Sequence, residues 1–147
     1  MALLYADTSA IVSAYLADEP DHRTLNRMLL VGDDPVVTSE LTLVEFGKAV
    51  AGAHRAGRIT DPKAVMAGFV TDCSDDGVFS LLTITSGTTL PLARKLVLDH
   101  PIRTLDAIHL ATALTRGRSY AGTDDFAMVT RDQRQASAAK ACGMRVL

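Results

Sequence analysis

Short apolar runs alternate with segments of helical spacing along the chain, and this alternation constrains the fold more than any other feature. The predicted strands are Leu3–Ala6, Val36–Ser39, Val78–Ile84, Ala127–Thr130 and Met144–Leu147. A segment with helical spacing follows each of the first four runs, and parallel neighbours in a sheet need crossover connections of this kind. The sequence therefore predicts an α/β fold over residues 1–147, a single domain with a mainly parallel central sheet between two helical layers.

Capping residues and glycines set the ends of the first long predicted helix. Ser39 is placed to cap a helix from Glu40 to about Ala56, and Phe46 on this helix is expected to face a neighbouring helix. The residues of this helix that we expect to face the core are Leu41, Val44, Ala49 and Ala53.

Two further helices are predicted between the third and fourth strands. Thr85 or Ser86 can cap the first of them. Thr104 can cap the second, Leu105–Leu114, which is almost entirely apolar. Such a helix should be buried on most sides.

Composition excludes several classes of protein. Hydrophobic residues make up 48% of the chain and charged residues 22%, without a biased tract, which argues against disorder. No apolar stretch approaches about 20 residues, so we expect no membrane span. The apolar start runs into Asp7 instead of following basic residues, as a signal peptide would. Cys73 and Cys142 lack metal-motif spacing and are too few for a disulfide scaffold, so we expect thiols in the cytoplasm.

Two acids follow predicted strands. Asp7 comes directly after the first strand, and Asp132 follows the fourth strand almost as closely. Ligands of open α/β sheets bind beyond the carboxyl ends of the strands, at a point where the strand order reverses. The two acids are therefore predicted to meet at one edge of the sheet, although Asp7 could equally serve as a helix N-cap.

Two more acids lie on predicted helices. Glu45 interrupts the apolar face of its helix, although a helical Glu is ordinarily a surface residue. Asp106 lies in the first turn of the apolar helix, where it could also interact with the helix dipole. A carboxylate removed from water needs a partner or a cation.

Several carboxylates in one cleft repel one another unless a cation neutralises them, and oxygen ligands suit Mg²⁺ or Mn²⁺ better than Zn²⁺. Such ions can activate water and bind a scissile phosphate. Thr8, Ser9 and Thr130 could bind a metal-bound water or orient a carboxylate, or act as cap or turn residues. His109 shares a helix face with Asp106, and we interpret it as a packed structural histidine because these cations disfavour imidazole.

The basic residues suit phosphate contact, because eleven of the fifteen are Arg. The arginines expected near the C-terminal half of the site are Arg103, Arg116, Arg118, Arg131 and Arg134. The net charge of −2 does not itself indicate a nucleic-acid partner, and ordinary surface charge mixing explains these arginines equally well.

From Leu4 to Val146 the chain resembles a PIN domain of the VapC toxin family. The segments that carry the resemblance are Tyr5–Ala10 (YADTSA), Ser39–Glu45 (SELTLVE), Leu105–Ala113 (LDAIHLATA) and Val129–Asp132 (VTRD). The third segment is the most specific.

The resemblance implies a three-layer α/β/α fold and a Mg²⁺-dependent (or Mn²⁺-dependent) endoribonuclease of a type II toxin–antitoxin system that cuts structured RNA such as tRNA or rRNA. The acidic quartet would be Asp7, Glu45, Asp106 and Asp132, serving as both catalytic residues and metal ligands. Asp125 is an alternative fourth acid. The resemblance also implies a homodimer held inactive by a VapB-type antitoxin that inserts a basic side chain into the acidic pocket.

Two other functions stay open on the sequence. A haloacid-dehalogenase-like phosphatase also begins with a strand-end Asp, but its second Asp would stand where this chain has Ser9. A non-catalytic RNA- or protein-binding module with the same fold is the other alternative.

Overall fold

The computed structural model describes residues 1–147 and contains one five-stranded sheet in the order β3-β2-β1-β4-β5. The strands are β1 Ala2–Ala6, β2 Val36–Ser39, β3 Phe79–Leu82, β4 Asp125–Val129 and β5 Arg145–Val146. Every neighbouring pair is parallel. The chain builds outward from β1 to β3, then returns to the other side of β1 with β4, so the strand order reverses between β1 and β4. The predicted α/β fold is confirmed.

Eight α-helices connect and cover the strands. They are α1 Thr8–Tyr15, α2 His22–Asn26, α3 Thr42–Arg55, α4 Pro62–Asp72, α5 Thr89–Asp99, α6 Thr104–Thr112, α7 Arg118–Ala121 and α8 Gln133–Ala141. A wider π-helical turn, Arg27–Val31, extends α2, and a second one, Ala113–Gly117, joins α6 to α7. None of these helices combines the length and apolarity that crossing a membrane requires.

The two faces of the sheet carry separate apolar cores, because successive side chains of a strand point to opposite faces. Leu4 and Ala6 pack with α1 to α4, where Phe46 and Phe69 stack with ring centroids 4.2 Å apart. Leu3 and Tyr5 pack with α5, α6 and α8 on the other face. The chain therefore forms the predicted three layers, and α3 and α6 lie on opposite sides of the sheet.

The prediction for α3 was partly wrong. The helix begins at Thr42 and not at Glu40. The Ser39 hydroxyl accepts a hydrogen bond from the Leu41 amide, which precedes the first helical residue. Its buried residues are Thr42, Phe46, Val50 and Ala53, whereas Val44 is 73% exposed. Val44 lies two residues from both Thr42 and Phe46, about 200° around the helix. The core therefore faces the helical stripe through Phe46, and Val44 is on the outer surface.

Two predicted caps were also wrong. The helix α5 begins at Thr89, after both Thr85 and Ser86, and the Thr89 hydroxyl accepts a hydrogen bond from the Thr85 amide. Thr104 is the first residue of α6 and not its cap.

The third strand is shorter than predicted. Its ladder with β2 ends at the pair Ser39 and Leu82, and β2 is its only partner. Apolar residues beyond Leu82 therefore have no strand to pair with.

Candidate active site

All four predicted acids line one cleft of about 860 Å³. Asp7 follows β1 and Asp132 follows β4, so both lie at the carboxyl edge of the sheet where the strand order reverses. Glu45 and Asp106 come from the first turns of α3 and α6. The fold thus brings together side chains separated by up to 125 positions in the sequence, at the place where α/β sheets bind ligands.

Asp7 is the most buried of these acids, with 3% of its surface exposed. It is the N-cap of α1, and its Oδ1 accepts hydrogen bonds from the Ala10 amide at 3.1 Å and the Ser9 hydroxyl at 2.6 Å. Its Oδ2 accepts one from the Thr130 hydroxyl at 2.5 Å. Burial raises the pKa of Asp7, and the charge of His109 and these hydrogen bonds offset that effect only in part. The Asp7 side chain therefore both caps α1 and lines the cleft.

Glu45 is held through one oxygen. The Thr8 hydroxyl donates to Oε1 at 2.8 Å, and Nε2 of His109 lies 2.5 Å from the same atom. Burial acts to raise the pKa of Glu45, but the hydrogen bond and charge of His109, with help from Thr8 and Arg103, outweigh burial and lower it. Glu45 is therefore a carboxylate at neutral pH.

Asp106 and Asp132 share a single cation. Nε of Arg103 donates to Oδ2 of Asp106 at 2.9 Å, and Nη2 donates to Oδ2 of Asp132 at 3.0 Å. The Arg103 side chain is 71% exposed. Asp132 is also the N-cap of α8, where its Oδ1 accepts from the Gln135 amide at 2.9 Å.

The alternative fourth acid lies elsewhere. Asp125 is the first residue of β4, exposed, and at the opposite end of that strand from the cleft. Asp132, three residues after β4 ends at Val129, is the acid that lines the cleft.

The three predicted hydroxyl residues orient the acids. Thr8 donates to Glu45, whereas Ser9 and Thr130 donate to the two oxygens of Asp7. The Thr130 oxygen also accepts from the amide of Asp132 at 3.1 Å, so Thr130 joins the two strand-end acids.

Three polar residues beside the cleft have contacts that the sequence did not predict. His109, predicted to be a packed structural histidine, is 1% exposed, and its ring contacts two polar side chains: Nε2 lies 2.5 Å from Oε1 of Glu45, and Nδ1 lies 2.9 Å from the Tyr5 hydroxyl. Burial raises the pKa of Tyr5 well above its ordinary value. Gln135 is fully buried and donates to the Asp106 carbonyl at 2.9 Å, while its Oε1 has no partner. Each is a polar residue in an apolar or Ala-rich segment, and that signal was available in the sequence.

Only two of the five expected arginines, Arg103 and Arg131, line the cleft. Arg118 instead lies over the ring of Phe126, 5.7 Å from its centroid, near the start of β4. The chain rises about 1.5 Å per helical residue, so the helix that starts at the cleft carries its later arginines away from it. Lys48, which the sequence analysis did not single out, also lines the cleft.

The donor set of the cleft fits a hard cation such as Mg²⁺, because it offers four carboxylates and several hydroxyls and no thiol. Its imidazole, His109, already contacts Tyr5 and Glu45 through its two ring nitrogens. As the side chains lie, no group of three or more His, Cys, Asp or Glu residues is arranged to hold a metal ion. Arg103 stands between Asp106 and Asp132 in the place of such an ion. A cation shared by these acids would therefore require the guanidinium to move.

Comparisons with known proteins give a consistent result. Residues 4–141 match the family described as PIN domain. Ribonuclease VapC46 of Mycobacterium tuberculosis (strain ATCC 25618 / H37Rv) is 34% identical over 147 residues, which is all of this chain and 98% of that protein. The crystal structure of Mycobacterium tuberculosis VapC20, described as a sarcin-ricin loop cleaving toxin, has a TM-score of 0.67 at 19% identity and covers 92% of this chain and 94% of that one.

A second solved structure has the same fold within a complex. It is VapBC2 from Rickettsia felis bound to a DNA fragment from its promoter, with a TM-score of 0.64 at 13% identity. The match covers 99% of this chain and 97% of that chain.

Proposed function

This chain belongs to the PIN domain family and, within it, to the VapC ribonuclease toxins, and from that premise we propose that it is a Mg²⁺-dependent endoribonuclease, the toxin of a type II toxin–antitoxin pair. The observation that carries the proposal is the convergence of four carboxylates, Asp7, Glu45, Asp106 and Asp132, on one cleft that no cysteine lines. Mn²⁺ is the expected substitute for Mg²⁺, because both prefer oxygen ligands.

The reaction we propose is hydrolysis of an RNA phosphodiester bond by water. A cation held by the four acids would activate the water and stabilise charge on the phosphate oxygens. The chain itself supplies orientation: Ser9 and Thr130 fix both oxygens of Asp7, and Thr8 fixes one oxygen of Glu45. No cysteine lines the cleft to act as a nucleophile.

Basic groups on the cleft support a polyanionic substrate, and we propose structured RNA, tRNA or rRNA. Lys48, Arg103 and Arg131 line the cleft beside the acids. Lys48 is exposed and has no ion-pair partner in the chain, which leaves its ammonium available for a phosphate. The acids can bind the cation while these residues hold the backbone on either side.

We further propose that the protein acts in the cytoplasm as a homodimer and is neutralised by a VapB-type antitoxin. The solved VapBC2 complex supports an antitoxin partner for a chain with this fold. An inhibitory basic side chain from the antitoxin could pair with the same carboxylates that Arg103 now bridges.

The phosphatase alternative gains no support at this site. The Ser9 hydroxyl donates a hydrogen bond to Asp7 at 2.6 Å, so position 9 orients the first acid and supplies no second carboxylate.

The direct test uses protein purified free of antitoxin and incubated with total RNA in Mg²⁺ or Mn²⁺. We expect discrete cleavage products, none in chelator, and none from Asp106→Asn. Asp125→Asn is the matched control, because that exposed acid lies outside the cleft and its loss should leave activity unchanged. Absence of cleavage in both metals, with RNA binding that needs no metal, would instead favour the non-catalytic module.

A further inference from the structure

His109 is a nearly fully buried polar residue that the proposed chemistry leaves without a task. It is 1% exposed and is contacted at both ring nitrogens. Its Nδ1 lies 2.9 Å from the Tyr5 hydroxyl, and its Nε2 lies 2.5 Å from Oε1 of Glu45. These partners belong to β1 and α3, so the ring on α6 connects the two helical layers through the central strand.

The partners fix which ring nitrogen carries a hydrogen. Glu45 is a carboxylate at neutral pH and can only accept, so Nε2 of His109 must donate. The Tyr5 hydroxyl retains its proton at neutral pH and can donate it to Nδ1. The hydrogen bond at Nε2 therefore runs from Nε2–H to Oε1 of Glu45, and the Tyr5 hydroxyl is the partner of Nδ1.

Both donors to Glu45 reach the same oxygen. The Thr8 hydroxyl and the His109 ring converge on Oε1, and Oε2 receives no hydrogen bond from the chain. A Glu side chain with several rotatable bonds is thereby held at one end of its carboxylate, and the other oxygen is left for a ligand in the cleft that Glu45 lines.

We propose that His109, itself held by Tyr5, is a positioning residue that presents Oε2 of Glu45 to the divalent cation. The inference rests on the proposed function and adds a residue that acts only through Glu45. In metal sites, partners that orient a ligand change metal affinity or activity by roughly 10- to 100-fold when they are removed.

The test compares three variants with the wild type. His109→Leu keeps the volume but loses the donor, His109→Gln restores a side-chain N–H, and Tyr5→Phe removes only the hydroxyl. The matched control is Thr115→Val, because Thr115 follows α6 in the same helical segment and its hydroxyl donates to the Ala111 carbonyl. Thermal unfolding confirms that each variant is folded.

Metal binding is measured by calorimetric titration of the RNA-free protein with Mn²⁺. We expect the dissociation constant to rise about 10- to 100-fold in His109→Leu, to recover in part in His109→Gln, and to stay unchanged in Thr115→Val. Unchanged Mn²⁺ affinity in His109→Leu would overturn the inference.

Nitrogen-15 NMR of the metal-free wild type supplies a readout that needs neither metal nor a mutation in the ring. We expect a hydrogen on Nε2 of His109, and an Nδ1 resonance that shifts in Tyr5→Phe. A ring with its hydrogen on Nδ1 alone would overturn the inference even if the Leu variant failed to fold.

The outcomes separate this inference from the proposed function. A wild type that cleaves RNA while His109→Leu binds Mn²⁺ equally well overturns the positioning role only. A wild type that binds Mn²⁺ through the arrangement described but cleaves no RNA overturns the proposed function only. A wild type that binds no Mn²⁺ overturns both.

Discussion

The two halves of the cleft hold their acids in different ways. Asp7 and Glu45, the inner pair, are oriented by hydroxyl, amide and imidazole donors. Asp106 and Asp132, the outer pair, are bridged by one guanidinium whose side chain is 71% exposed. Hydroxyl and amide donors orient a carboxylate without cancelling its charge, whereas a guanidinium largely neutralises it. The inner pair is therefore oriented without a cation, and the outer pair would become available to the proposed cation only if Arg103 moved away.

One member of the inner pair, Asp7, also carries an energetic cost. Asp7 is desolvated, and its raised pKa means that the folded state disfavours its charged form. Asp132, in contrast, has a charged partner and more solvent around it. Active sites commonly retain such local instability because the group is needed for function.

The largest expected effect comes from replacing the buried acid. Asp7→Asn should reduce RNA cleavage by at least about 100-fold, because it removes a negative ligand from the proposed cation site. The amide still caps α1, so circular dichroism should show an unchanged fold. Activity near that of the wild type would contradict the role of the inner pair.

The same variant tests how much the buried charge of Asp7 lowers the free energy of unfolding. Asp7 has a folded-state pKa above its ordinary value of 3.8. Well below that value the carboxyl is protonated in both the folded and unfolded states, and its titration contributes nothing to the pH dependence. As the pH rises, the unfolded state releases the proton first, so metal-free wild type should lose stability relative to Asp7→Asn until the folded-state pKa is passed.

Denaturant unfolding at several pH values measures this difference. We expect the free energies of unfolding of wild type and Asp7→Asn to converge at acidic pH and to separate at neutral pH, with the variant more stable. A constant difference across the pH range would show that burial of the charge is not the cause.

A smaller effect is expected from replacing Thr130, whose hydroxyl contacts both Asp7 and the amide of Asp132. Thr130→Val removes the donor to Asp7 and the acceptor for the Asp132 amide, so cleavage should fall roughly 10- to 100-fold. Thr115→Val is the matched control, because the Thr115 hydroxyl donates to the Ala111 carbonyl within its own helical segment. The two variants are compared by kcat/KM on one RNA; equal losses would mean that the effect is not specific to the acids.

The smallest expected effect concerns the exposed bridge. Arg103→Gln should lower the Mg²⁺ concentration for half-maximal activity by several-fold, because the cation no longer competes with a guanidinium for Asp106 and Asp132. Lys95→Gln, which breaks an exposed ion pair with Asp99 away from the cleft, should leave the Mg²⁺ dependence unchanged. An increased Mg²⁺ requirement in Arg103→Gln would mean that Arg103 supports the site instead of competing for it.

Local sequence rules predicted the fold and the positions of the strand-end acids at the carboxyl edge of the sheet. Asp7 and Asp132 could be placed because an acid directly after a parallel strand lies at a known edge. Glu45 and Asp106 needed the family resemblance as well, since either residue alone fits an ordinary helix position. Their catalytic and metal-binding roles stay predictions.

The contacts that finish the site could not be predicted in the same way. The bond between Tyr5 and His109 joins residues 104 positions apart, and the contact between His109 and Glu45 spans 64. Such pairs depend on how strands and helices pack, which local periodicity does not encode. The wrong prediction that Val44 faces the core has the same origin. Its apolar side chain suggested burial, but local sequence does not show which face of α3 packs against Phe69.

The pairing of β1 with β4 has a consequence for when the protein becomes active during its synthesis. Asp7 leaves the ribosome early, but its Thr130 partner is 123 residues further along the chain and Asp132 follows after that. A nascent chain that stops before β4 has the first acid without the strand that completes the cleft. Translation of β4 and the residues that follow it therefore completes the cleft, and no shorter nascent chain contains all four acids.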